Sequence, residues 1–158
     1  MTILTDLADE LETYPRDFLD VQIVQVDPPG NALNAGENAR FRIQVANSGP
    51  VDANQLSLLV EGLNGTLVAS NGVNRDLQDA FTISGAFFGD VPAHSATTPR
   101  VSPGDPFEFR ASTSSTSVRD LVRVSVAGWE TTFNHLTSGH TREDAEANDV
   151  YSSTVSPA

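Results

Sequence analysis

The stretch Ala39-Arg40-Phe41-Arg42-Ile43-Gln44-Val45 decides the fold class. Apolar side chains at 39, 41, 43 and 45 alternate with polar ones at 40, 42 and 44. A period of two puts one face of an extended strand on a core and the other in water, whereas a helix would scatter the same residues around its axis. Upstream, Leu19, Val21 and Ile23 alternate with Asp20 and Gln22 until Asp27-Pro28-Pro29-Gly30 breaks the run. Downstream, Asn47-Ser48-Gly49-Pro50 turns the chain, and Leu56, Leu58 and Val60 alternate again. Leu63-Asn64-Gly65-Thr66 reads as a hairpin turn, because Asn-Gly accepts the two positive φ angles of type I′; residues 66–69 are then expected back beside the preceding strand. Phe81, Ile83 and Phe87-Phe88 mark another strand, and residues 89–104, with Pro92, Pro99 and Pro103, read as a long loop. Phe107, Phe109 and Ala111 form the next strand, Val122, Val124 and Val126 lie in one spanning 118–129, and residues 150–155 close the chain.

Seven to eight short strands separated by turn signals, with little helix, predict an all-β antiparallel sandwich with Greek-key connections; a closed barrel is the structural alternative. No internal repeat suggests a solenoid or propeller. Before the strands, residues 5–13 read as a short helix. Thr5 serves as N-cap, Asp6, Asp9 and Glu10 sit at the positive end of the dipole, and Leu4, Leu7, Leu11 and Tyr14 recur at helical spacing until Pro15 stops it. A helix of about ten residues does not hold alone in water, so its apolar stripe must dock on the chain's own body or on a partner. Leu4, Leu7, Leu11 and Tyr14 are therefore the candidate docking residues. Residues 1–17 form a helical arm and residues 18–158 the sandwich domain.

The 158 residues are 39% apolar and lack Cys, long enough to fold without a disulfide or a structural metal. No apolar run reaches the roughly 18 residues of a membrane span, and the start, Met1-Thr2-Ile3-Leu4, lacks the basic and apolar regions of a secretion leader. All nine basic residues are Arg, against 21 acids and a net charge of −12. A nucleic-acid partner is not expected, since phosphate binding needs a basic patch. The acidity serves either solubility or life in concentrated salt, where a Debye length of about 3 Å screens self-repulsion. Arg in place of Lys, with surplus Asp and Glu, resembles the proteins of extreme halophiles.

Five motifs in order carry a family resemblance: Val26-Asp27-Pro28-Pro29, Gly36-Glu37-Asn38-Ala39-Arg40-Phe41, Val45-Ala46-Asn47-Ser48-Gly49-Pro50, Pro103-Gly104-Asp105-Pro106-Phe107, and Glu146-Ala147-Asn148-Asp149. Over residues 18–155 the chain resembles the cell-adhesion-related bacterial immunoglobulin-like family known as CARDB. The resemblance implies an immunoglobulin-like sandwich acting as a non-catalytic spacer or interaction module. Residues 71–100 and the N-terminal helix are additions to that pattern.

Candidate chemistry is sparse. His135, His140, Glu143, Asp144, Glu146 and Asp149 lie in residues 131–149, read as a solvated acidic loop, but the His spacing fits no standard zinc site and the calcium-loop Gly is missing. His94 beside Ser95 lacks the Gly-x-Ser-x-Gly elbow of a nucleophile. Asp76 with Asp79, or Glu143 with Glu146, could be drawn as acid and base, yet no desolvating pocket is evident to separate them. Asn64-Gly65-Thr66 matches a glycosylation acceptor and is explained as a turn. Trp129 reads as a core plug, and residues 111–117 as a strand end and loop. No catalytic residue, cofactor or metal is expected. The expected function is a structural module whose partners are other structural proteins of an assembly. The specific expectation is a capsid-decoration or tail protein of a halophilic tailed virus, assembled in the host cytoplasm and present in symmetric copies. The alternative is a cell-surface or secreted adhesion module, and a hydrolase is a third, weaker reading.

Overall fold

A computed structural model of the chain describes residues 14–69, 82–133, 136–141 and 147–157. Among the described residues ten strands form two antiparallel sheets, as the alternation requires. The first sheet has the order β1 (Leu19–Asp27), β2 (Ala39–Asn47), β7 (Phe107–Arg110), β4 (Leu67–Ala69), with β6 (Arg100–Val101) extending β7's row along β2. The second has the order β10 (Asn148–Val155), β8 (Ser115–Phe133), β3 (Ala53–Gly62), β5 (Thr82–Val91), with β9 (Leu136–Thr141) on the far half of β8.

Between the sheets lies one core. Phe41, Ile43 and Val45 of β2 and Phe109 of β7 face Leu56, Leu58 and Val60 of β3 and Leu121, Val122 and Val124 of β8, all essentially without exposure. Each such side chain contributes about 1.5–3 kcal/mol by leaving water. Phe41 stacks on Phe107 at 5.4 Å between ring centres and lies tilted to Phe109 at 5.9 Å, so the aromatic weight of the core sits where β2 meets β7.

One side of the sandwich is closed by a side chain. The Ile23 N–H on the free edge of β1 donates to Asp149 Oδ2 of β10 at 2.7 Å, and β1 leaves register with β2 between Val24 and Asp27 around Gln25, whose φ is 54°. A bulge and a capping carboxylate on an edge strand discourage pairing with another chain.

Four expectations are corrected. The Asn64-Gly65 turn has the expected positive φ angles, 54° and 79°, but β4 pairs with β7 in the opposite sheet and not with β3. Both edges of β3 are taken, by β5 and β8, so the returning chain finds its hydrogen bonds across the sandwich. Residues 89–104 are not loop throughout: 89–91 finish β5, and Arg100–Val101 is β6. The acidic segment is not all loop, since 131–133 end β8 and Leu136–Thr141 pairs back on it. Strand β8 also starts at Ser115, inside the stretch read as strand end and loop. Residues Tyr14–Phe18 form a short helix, α1, that contains Pro15. The helix expected over residues 5–13 lies outside the described residues.

Candidate functional site

Of the four docking candidates, Leu4, Leu7 and Leu11 lie outside the described residues. Tyr14 is placed inside the fold, 3% exposed. The single turn of α1 sets its ring over the end of the sandwich, tilted against Phe18 at 4.7 Å on the outside and Trp129 of β8 at 5.4 Å on the inside. Phe18 is 37% exposed, so the three rings run from the surface into the core.

The phenol ends in a polar corner made by the turn after β2. Its proton faces Asn47 Oδ1 at 2.9 Å and the Val51 carbonyl at 2.8 Å, and its oxygen accepts the Val51 N–H at 3.0 Å. Asn47 is fully buried and fully used. Its Oδ1 also accepts the Gly49 N–H at 3.0 Å, and its Nδ2 donates to the carbonyls of Val51 at 2.8 Å and Val91 at 3.3 Å. Such a residue lets a tight turn be buried without an orphaned amide. Gly49 is required by contact: a Cβ there would collide with the Tyr14 hydroxyl and with Phe18. The loop after β5 seals the corner, with Ser95 N–H on the Asn47 carbonyl at 2.7 Å and His94 N–H on the Gly49 carbonyl at 3.0 Å. Burial raises the Tyr14 pKa above the usual phenol value, and the nearby Asp52 carboxylate adds to the rise.

The other candidates are not brought together. His94 points to solvent from a left-handed backbone, φ 55°, while the Ser95 hydroxyl is buried and spent on the Pro92 carbonyl at 2.7 Å, so neighbours in sequence do not form a nucleophile and base. His140 is described only as a strand position opposite Trp129, and Asp149 caps β1. Asp76, Asp79, His135, Glu143, Asp144 and Glu146 lie outside the described residues. Among the described residues no group of three or more His, Cys, Asp or Glu side chains is placed to hold a metal ion, and no helix is long and apolar enough to cross a membrane. Asn64 Nδ2 is committed to the Asp120 carbonyl at 2.8 Å, and Thr66 is buried. Trp129 is buried, at the end of the core and against Tyr14.

Sequence reasoning missed Asn47 and Gly49, which read only as turn formers. The Asn-x-Gly signal was present, but nothing local shows that a tyrosine 33 positions earlier closes on it. No protein-family model matches the chain, and no curated protein matches it.

Proposed function

We propose that this chain is a non-enzymatic structural module that attaches to a larger assembly by its N-terminal segment, as a capsid-decoration or tail protein of a tailed virus whose host lives in brine. The observation that carries this reading is the anchoring of Tyr14, the residue that follows the segment bearing Leu4, Leu7 and Leu11 in sequence: it is held in a buried corner, with the exposed Phe18 ring beside it. The strand order supports an immunoglobulin-like module. Sheets β1-β2-β7-β4 and β10-β8-β3-β5 follow the A-B-E-D and G-F-C order of that fold, with β5 as an added edge strand and β4 reached by a sheet crossing. A bulged, capped edge at β1 favours attachment by an appended segment over strand addition. The composition, nine Arg, no Lys and 21 acids, favours a salt-rich setting. Partners are other structural proteins of the particle, met by symmetric copies.

The test is co-sedimentation of the chain with tailed-virus particles from a high-salt host, in salt of about 1 M where the Debye length is ~3 Å. The chain is expected to travel with the particles and a version lacking residues 1–13 to stay in the supernatant. Retention of the full chain in the supernatant with every particle fraction overturns the reading.

A further inference from the structure

We propose that Arg119 and the loop before it form a binding site for a phosphate-type oxyanion. Two arginines of β8 differ in how one edge of the guanidinium is used. Arg123 presents Nε and Nη2 to the two oxygens of Glu61 at 3.2 and 2.9 Å, the paired geometry in which a guanidinium grips a carboxylate or a phosphate. Arg119, earlier on the same strand, has that edge half filled. Its Nη2 donates to the hydroxyl of Thr113 at 2.8 Å and to the Thr113 carbonyl, while its Nε is buried without an acceptor. An N–H withheld both from water and from any acceptor costs free energy that an arriving anion recovers. The Thr113 oxygen accepts from Nη2, so its own proton is left to donate. An oxyanion can therefore take the Arg119 Nε–H on one oxygen and the Thr113 O–H on another without breaking the contact already made. A bulge sets up this arrangement: β8 carries residues 116–118 where β10 has only Thr154 between the partners of Ser115 and Arg119. Arg119 is half-buried and residues 112–114 and 116–118 are exposed, which puts the unfilled edge just beneath the surface. The surroundings are unusually free of repulsion for a chain of net charge −12. No charged residue lies between Ala111 and Val118, and Asp120 belongs to the other face of the strand, with Oδ1 accepting the Ser152 hydroxyl at 2.6 Å.

The test is an NMR titration of the isotope-labelled full chain with inorganic phosphate, followed at the arginine Nε–H resonances, with phosphate replacing chloride at a constant ionic strength of about 1 M so that screening does not change. The Arg119 resonance, identified by its loss in Arg119→Lys, is expected to shift to a plateau. That of Arg123, whose edge Glu61 fills, is expected to stay in place. Arg119→Lys keeps the charge and loses the paired edge, and Thr113→Val keeps the shape and loses the hydroxyl. Each is expected to weaken phosphate binding about tenfold or more, read at the backbone amides of residues 113 and 114. Glycerol phosphate in place of inorganic phosphate identifies the source of the group: tighter binding marks an esterified phosphate as the ligand, and weaker binding the free ion. A drift at Arg119 that never saturates, an equal shift at Arg123, or binding unchanged in either variant overturns the site. No particle takes part in the titration, so its outcome is separate from that of the attachment reading.

Discussion

Tyr14 and Asn47 show how much one buried polar pair can organise. Removing the phenol oxygen in Tyr14→Phe leaves Asn47 Oδ1 and the Val51 N–H short of a partner, and a loss of about 1–2 kcal/mol is expected in urea unfolding. Gly49→Ala should cost about 1–3 kcal/mol, because the phenol it would strike is fixed at both ends and cannot step aside. Stability should also fall at alkaline pH with an unusually clean cause. The chain has no Lys and no Cys, so Tyr14 and Tyr151 are the only side chains that titrate near pH 10. Burial raises both phenols in the folded state, the Ser153 hydroxyl partly offsetting the rise at Tyr151. A group raised on folding contributes stability that is complete below its unfolded pKa of about 10 and is lost as pH climbs through the folded value. The urea midpoint is therefore expected to hold from neutral pH to about pH 9 and then drop. Replacing both tyrosines by Phe should flatten the drop, and an unchanged slope in that variant would show that the phenols are not its source.

Strand β4 and its turn carry the clearest lesson about elements. Asn64 and Gly65 adopt the left-handed angles that Asn-Gly favours, and Gly65→Ala is expected to cost about 1 kcal/mol in a thermal melt, since φ is 79° and the Ser112 hydroxyl lies 3.0 Å from the added carbon. The turn chemistry is local, but the partner strand is not: β4 goes to β7 because β3 has no free edge. On β7, Glu108 lies on the side opposite the core residues Phe107 and Phe109, across from Arg40, and is still only 6% exposed, with its Oε2 unpartnered. A buried carboxylate oxygen without a partner is costly. Glu108→Gln, which keeps the shape and removes the charge, is expected to raise stability by about 1 kcal/mol, and a lower melting temperature for that variant would sink the idea. The contrast is Glu61 on β3, which meets Arg123 of β8 through two hydrogen bonds of 3.2 and 2.9 Å and holds the guanidinium pKa above its usual value.

Across the entire domain the dominant unbalanced quantity is charge. A net −12 on 158 residues repels itself in dilute buffer and is screened as the Debye length shrinks from about 10 Å at 0.1 M to about 3 Å at 1 M. The melting temperature is expected to rise by several degrees between those concentrations of KCl, about 1 kcal/mol or more for a domain of this size. A flat or falling response would remove the case for a saline setting while leaving the sandwich intact.

The alternation at 39–45, with that of the strands around it, was enough to establish strands with one buried face and an all-β domain, because side-chain period is a property of the local backbone. Turn positions such as Asn64-Gly65 were equally legible, since left-handed φ depends on the residue itself. Three things could be decided only by the folded chain. Which edge a strand joins depends on which edges are already filled, so β4 was misplaced from its turn alone. Where strands begin and end in residues 89–104 and 131–149 depends on neighbours supplied by β2 and β8. And Tyr14, which helical spacing grouped with Leu4, Leu7 and Leu11, belongs to a corner built by residues 47–51, because burial of a polar ring requires hydrogen-bond partners that only long-range packing can deliver.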